Sequence, residues 1–569
     1  MVRAFFNRIA TPIRGFNKAA YLRIISPIRG LHQAAYLLAL LTLASQLLAL
    51  LRDRTFAHTF GVGHVLDLYY AAFRVPDLVF ALVSSLVSAY VLIPRLSGMT
   101  KEETKHLLSE STSFLLVMGG IICILLGIFM PQFLSLLYPR FASDPEFILL
   151  SRILLIQPIL LGLSGVLGSV TQVHRRFVLF ALSPVLYNIG IIIGITVLYP
   201  IWGLSGIGIG VIAGAIGYLC INAPVIIEAG VVPRFVIPKW TSLKTIVHDS
   251  IPRSLALGMG SITALLLTAL ASRLGTGAVS VFTFAGNLAA VPLALIGSSY
   301  AVAAFPALSE ASALEKREEF TNILSASARH IILWSLVSLG IIAVLRAHIV
   351  RVILGTGAFD WNATRLTAAL LALLTVGLAA QGLILLFSRA LYAVKQSWRP
   401  FFYQIAGGIF TILLAEYFLH GQLTSQVGWL GSFLKVTNVD GTSILLIASA
   451  SAIGQIVLAG LSLWSLEAVT PGLARTLTRS LVDGSLAAVS AGFAAYAVLL
   501  VLGGIAPLTS LLVVFANGFI AGCAGLLAAA LALYYLENEE FTLVVGALQK
   551  LMLRRSAVLE PSAEEPAQP

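Results

Sequence analysis

Ile93-Pro94-Arg95-Leu96-Ser97 closes one long apolar run of this chain, and Phe305-Pro306-Ala307-Leu308-Ser309 closes another. Each run carries an earlier proline, Pro76 or Pro292. Each is followed by a short charged stretch, Lys101-Glu102-Glu103 or Lys316-Arg317-Glu318-Glu319. The register continues downstream. Phe141-Ala142-Ser143-Asp144 aligns with Gly357-Ala358-Phe359-Asp360, and Gln172-Val173-His174-Arg175-Arg176-Phe177 with Ala393-Val394-Lys395-Gln396-Ser397-Trp398. The offset is nearly constant, which marks a duplicated membrane module. Duplicated modules flanking a central site are a common plan for transporters.

The chain is 58% hydrophobic and 11% charged, whereas a soluble domain carries about 25% charged residues. Its apolar runs repeatedly reach the roughly 18 residues of a membrane-spanning helix. The period-2 alternation of barrel strands is absent. The expected fold class is therefore an all-α polytopic membrane protein. Helices are expected near 34–51, 66–94, 112–138, 147–172, 178–199, 203–226, 246–272, 280–305, 329–354, 364–393, 400–420, 442–466, 478–502 and 506–536, about fourteen in all. The expected division is a basic leader (1–33), a first lobe of six helices (34–226), a second lobe of six (227–466), a terminal helix pair (467–536) and a tail (537–569).

The net charge is +11. With an even helix count both termini share one side, and most Lys and Arg fall on that side, which the positive-inside rule makes cytoplasmic. The basic charge thus implies membrane lipids as partners and no nucleic acid. Arg3, Arg8, Arg14, Lys18, Arg23 and Arg29 precede the first acid, Asp53. The leader has no compact apolar segment and no small-residue cleavage site, so it reads as an amphipathic segment on the cytoplasmic leaflet. Cys123, Cys220 and Cys523 each sit in an apolar run and suggest neither a disulfide framework nor a metal site. Gly203, Gly206, Gly208, Gly210, Gly214 and Gly217 suit close helix packing. No strand precedes these glycines and no Walker lysine follows, so no nucleotide cofactor is expected. Nothing resembles a nucleophile–base–acid arrangement, and the expected class is a transporter rather than an enzyme.

The most polar apolar-flanked segment, Ser45 to Asp77, holds Arg52, Asp53, Arg54, Asp67, Arg74 and Asp77. Charges at membrane depth face partners or water-filled cavities. One reading puts Arg52, Asp53, Asp67 and Arg74 on a polar cavity, with Arg74 about two turns deeper than Asp67. The other puts Arg52, Asp53 and Arg54 at the outer end of the first helix, snorkelling to water, and Asp67 on the dipole of its own helix. Asn188 and Gln404, each four residues after a proline, are expected to make helix-packing hydrogen bonds, and Glu416 to join a cation site or face the headgroups.

These residues resemble a known family. Ser45-Gln46-Leu47-Leu48-Ala49-Leu50-Leu51-Arg52-Asp53 is similar to the pattern Ser-Arg-x-x-Gly-x-x-Arg-Asp. Phe60-Gly61-Val62-Gly63, Asp67 and Ala72-Phe73-Arg74-Val75-Pro76-Asp77-Leu78 continue it, with Pro94, Phe141-Ala142, Pro184, Asn188 and Phe305-Pro306 further on. The family is MurJ/MviN, the lipid II flippases of the multidrug/oligosaccharidyl-lipid/polysaccharide exporter superfamily. The resemblance implies two six-helix lobes around a cationic cavity and a final helix pair forming a groove for a lipid tail. It also implies flipping of an undecaprenyl-pyrophosphate glycopeptide across a bacterial inner membrane by alternating access, for peptidoglycan synthesis. Coupling to membrane potential or to a Na or H cation and contact with cell-wall synthesis proteins follow from the same likeness. The family's other cavity charges fall here on Gln46, Phe80, Ser85-Leu86 and, near residue 287, on Asn287. The substrate-binding residues expected on this basis are Arg52, Arg74, Asp53, Asp67, Ser45 and Asn287. Alternatives are a related polysaccharide-lipid or multidrug exporter, and a non-transporting membrane scaffold.

Overall fold

The computed structural model describes residues 31–549 apart from 88, 97, 175, 238–239, 421–423, 504–509 and 547–548. Most of the expected leader, the end of the tail and Ser97 of the first repeat lie outside the described residues. The described residues form helices, with no strand among them. In chain order the long helices are α1 (Leu31–Phe60), α2 (His64–Val87), α3 (Lys101–Leu137), α4 (Pro145–Val173), α5 (Phe177–Ile193, continued by a π turn to Leu198) and α6 (Tyr199–Cys220). They continue with α7 (Trp240–Leu274), α8 (Ala278–Ala313), α9 (Arg317–Leu354) and α10 (Trp361–Val376 with Leu378–Ala393, bent by 44°). The series ends with α11 (Trp398–His420), α12 (Ile444–Glu467), α13 (Leu473–Leu502) and α14 (Leu511–Tyr535).

Eleven described helices are long and apolar enough to cross a membrane, or twelve if the bent pair is one span, against about fourteen expected. One of the eleven, Val178–Ala229, is 52 residues long and doubles back on itself. Its backbone approaches pair Gly190 with Gly214, Gly194 with Gly210, and Gly206 with Leu198. Antiparallel pairs of that kind centre on Trp202 and Gly203, where the dihedrals leave the helix and Gly203 takes φ 58°. Glycine adopts that angle without a Cβ penalty. A Cβ on Gly210 would lie 2.4 Å from Gly194 Cα. Gly210→Val is therefore expected to force α5 and α6 apart at a cost of about 1–3 kcal/mol or more. A lowered Tm of the purified protein checks it, and an unchanged Tm would contradict this packing.

α1 runs two turns past its expected end at residue 51, to Phe60. The Arg52-Asp53-Arg54 charges read as the edge of the apolar stretch, but tertiary partners satisfy them and the helix continues.

The repeat is visible in local chemistry. Asp144 caps α4, its Oδ1 accepting from the backbone N–H of Glu146 at 2.9 Å. Asp360, its aligned counterpart, caps α10 by accepting from Ala363 N–H at 2.7 Å. Both supply a carboxylate to an uncapped helix start. α4 ends at Val173 and α5 begins at Phe177; likewise α10 ends at Ala393 and α11 begins at Trp398. Winding changes after each repeat proline, to a 3-10 turn at Ser84–Val87 and a π turn at Ala294–Ser298.

By packing, the described residues form two compact units. The first takes residues up to Val291 with Val350–Leu374 and Gln396–Leu458, and the second takes Pro292–Ile349, Thr375–Lys395 and Ala459 onward. Four of their five borders fall within helices, and the fifth lies between α10 and α11. Inside the second unit, α13 and α14 pack on α9 through Leu333, Val337, Ala487, Ala491, Ala529 and Leu533. Arg329 pairs with Glu540 at 2.7 Å, and Asn538 Nδ2 donates to Asp483 at 2.9 Å.

Candidate functional site

Successive residues on a helix point about 100° apart, so Arg52, Asp53 and Arg54 reach three different neighbours within the first unit. Asp53 is 3% exposed. Its Oδ1 accepts from Arg52 Nε at 3.0 Å and Nη2 at 2.8 Å, and its Oδ2 accepts from Asn287 Nδ2 on α8 at 3.0 Å. Arg52 Nη1 donates to Asn188 Oδ1 on α5 at 3.1 Å. Asn188 Nδ2 in turn donates to Pro184 O at 3.0 Å. Arg52 is thus a paired charge, held on two sides. Arg54 Nη1 donates to Val352 O at 2.6 Å and Ile353 O at 3.3 Å, placing a cation on the last carbonyls of α9, the negative end of its dipole.

Asp67 does the converse. Its carboxylate accepts from Gly277 N–H at 2.5 Å, Ser280 N–H at 2.7 Å and Ser280 Oγ at 2.6 Å. α8 begins after Gly275-Thr276-Gly277 without a capping side chain of its own, so Asp67 caps it from another helix. Asp67 lies in the first turn of α2, as its expected place on that helix's dipole requires, and its carboxylate also serves the start of α8. Between these two charged caps, Ala358 N–H donates to His58 O at 2.9 Å. Gly61, at φ 59°, lies against Ala358. Aromatic contacts fill the space, with Phe56 on Tyr69 at 4.5 Å, Tyr70 on Phe284 at 5.8 Å and Phe284 on Phe359 at 5.8 Å. The ends of α1, α2, α8, α9 and α10 are latched together here by charge, backbone and apolar packing.

Arg74, two turns deeper on α2 than Asp67, is different. It makes no hydrogen bond or ion pair among the described residues, and its buried Nε has no partner. Other buried polar atoms of the first unit are likewise unpartnered: Tyr70 Oη, Tyr138 Oη and Gln157 Oε1. Tyr70, Tyr138 and Asp77 lie within electrostatic reach of Arg74. Buried groups of this kind ordinarily find partners; the Arg74 guanidinium and the two phenol hydroxyls can donate to a polar anion, whereas Gln157 Oε1 can only accept.

The expected site residues therefore divide. Arg52, Asp53, Asp67 and Asn287 lie in or beside the latch, Arg74 faces the unsatisfied cluster, and Ser45, about two turns before Arg52, makes no hydrogen bond among the described residues. The snorkelling alternative does not describe Asp53, which is buried. Glu416 pairs with Arg273 at 3.6 Å and His420 at 2.9 Å. The sequence reading named Arg54 only as a snorkelling charge, took Asn188 only as a packing residue, and missed Ser280 and Gly277. The bare start of α8 was the available signal for Asp67's partners. Among the described residues no three His, Cys, Asp or Glu side chains group to hold a metal ion.

A family model described as "Lipid II flippase MurJ" matches residues 56–428. The "Probable lipid II flippase MurJ" of Buchnera aphidicola subsp. Acyrthosiphon pisum is 25% identical over 393 residues, covering 66% of this chain and 75% of that protein. The "Lipid II flippase MurJ" of Burkholderia cenocepacia is 24% identical over 412 residues, covering 68% and 79%. Among solved structures, one titled "Lipid II flippase MurJ, inward closed conformation" superposes with TM-score 0.67 at 20% identity, over 88% of this chain and all of that one. An inward-facing MATE family multidrug transporter superposes with TM-score 0.60 at 16% identity, over 77% and 99%.

Proposed function

The chain belongs to the MurJ lipid II flippase family, and on that premise we propose that it flips a lipid II-like undecaprenyl-pyrophosphate glycopeptide across the bacterial inner membrane, with both termini cytoplasmic. A pyrophosphate headgroup cannot enter hydrocarbon alone, because desolvating its charge is prohibitive. A guanidinium already held in a polar recess replaces water with charge-assisted hydrogen bonds. Arg74, whose buried Nε is unpartnered and which lies within electrostatic reach of the unpartnered hydroxyls of Tyr70 and Tyr138, is the observation that carries the reading. In this reading Arg74 meets the pyrophosphate. Arg52, Asp53, Asp67 and Asn287 hold one gate shut, then exchange partners as access alternates. Membrane potential or a cation gradient would drive the exchange.

Export of small cations is disfavoured by the same geometry. It calls for a buried carboxylate without a cation beside it, whereas Asp53 and Asp67 are both engaged and Asp77, which makes no hydrogen bond among the described residues, stands within electrostatic reach of Arg74. Expression of this chain in a lipid II flippase depletion strain tests the proposal. Growth should be restored to within about tenfold of the native flippase in plating efficiency. Good membrane expression without rescue would overturn the lipid II assignment.

A further inference from the structure

α3 carries Pro131 in its interior. Proline has no N–H, so the carbonyl four residues earlier, on Gly127, loses its helical donor. Arg152 of α4 replaces it, with Nε donating to Gly127 O at 2.9 Å. That bond pins the guanidinium to the α3 backbone. Arg152 has no ion pair or other hydrogen bond among the described residues, so its Nη groups face outward without a counter-charge. It stands about 10 Å along α4 from Pro145, near the boundary between headgroups and hydrocarbon.

Beside it runs a surface groove of about 580 Å³, lined by Arg152 and by Cys123, Ile124, Ile128, Ile156 and Ile159. Ile124 is 65% and Ile128 60% exposed. The groove is open partly because Gly120 has no side chain; a Cβ there would meet nothing within 4 Å. A fixed cation at that depth is costly unless an anion meets it, and an apolar trough alongside accepts a hydrocarbon chain. A single guanidinium suits one phosphate, and neither Arg52 nor Arg74 lines the groove.

We propose that the α3–α4 groove is a binding site for an anionic membrane phospholipid, with its phosphate on Arg152 and one acyl chain along Ile124, Ile128, Ile156 and Ile159. The occupant is a bilayer lipid and not the transported precursor, and the site stands independently of the proposed cargo.

The test uses the full chain with its cysteines replaced by Ala and bimane on Leu125→Cys, outside the groove lining. The protein is reconstituted in phosphatidylcholine vesicles doped with nitroxide-labelled phosphatidylglycerol or nitroxide-labelled phosphatidylcholine. Labelled phosphatidylglycerol should quench at about fivefold lower mole fraction, the preference one basic residue confers near a membrane surface. Arg152→Gln keeps a donor for Gly127 O but removes the charge, and it should abolish the preference. Arg152→Lys should retain it. Gly120→Leu, which fills the trough, should weaken quenching by both lipids. Equal quenching by the two lipids in the parent protein, or a preference untouched by Arg152→Gln, would overturn the site and leave Arg152 as a cap for Gly127. Displacement of the probe by a polyprenyl pyrophosphate at lower mole fraction than by phosphatidylglycerol would overturn the choice of occupant.

Discussion

Arg74→Ala is expected to reduce rescue of a flippase-depleted strain to the empty-vector level and to weaken binding of a polyprenyl-pyrophosphate headgroup about 10- to 100-fold. The magnitude follows from the chemistry: a hydrogen bond to a charged group contributes about 1.5–3 kcal/mol net. Arg74 makes no hydrogen bond among the described residues, and its buried Nε is unpartnered. Its removal breaks no hydrogen bond among the described residues but leaves Asp77 without its nearby cation, so the Tm of the variant is measured alongside binding to separate a folding defect from a binding defect. Arg74→Lys keeps the charge but loses the planar fork that matches phosphate oxygens, and an intermediate affinity is expected. Binding of the purified variants in detergent micelles measures this directly. Arg52→Ala provides the contrast. It strips Asp53 Oδ1 of two charge-assisted hydrogen bonds and should disturb the latch more than headgroup affinity. Rescue by Arg74→Ala equal to the parent chain would remove Arg74 from the site.

Asp67→Asn is expected to open the latch while leaving headgroup affinity within about twofold of the parent. Asp67 accepts three hydrogen bonds at the start of α8. An amide can still accept from Ser280, but its NH₂ would face the Gly277 N–H, donor against donor. Leaving buried donors mismatched costs about 2 kcal/mol, enough to shift a two-state equilibrium about thirtyfold. Val279, fully buried beside Ser280, is the reporter. A Val279→Cys variant should react with a charged maleimide about tenfold faster or more in the Asp67→Asn background. Unchanged reactivity would mean that Asp67 caps α8 without gating anything.

Several features of the fold were legible because they depend on contiguous residues. The glycine spacing from Gly203 to Gly217 announced a close helix approach, and the α5–α6 turn has it. The aligned Asp144 and Asp360 cap corresponding helices because a cap needs only the next three residues. The end of α1 was read too early for a related reason: Arg52-Asp53-Arg54 is a break in hydropathy, and hydropathy carries no information about partners elsewhere. The site was legible only in part. The Ser45–Asp77 segment stood out by its charges, but the partners of each charge did not. Arg52 and Arg74 look equivalent in sequence, yet one is tied to Asp53 and Asn188 and the other is unpartnered.

The sequence by itself determined a polytopic helical membrane protein with an internal repeat, because apolar run length, local capping and glycine spacing are properties of neighbours along the chain. Tertiary structure alone decided that Asp67 caps α8, that Arg54 caps α9 and that the Arg74 Nε is left without a partner. A charge at membrane depth must be matched by an opposite charge, a helix end, a lipid headgroup or a ligand. Which of these it meets depends on segments brought together from distant parts of the chain.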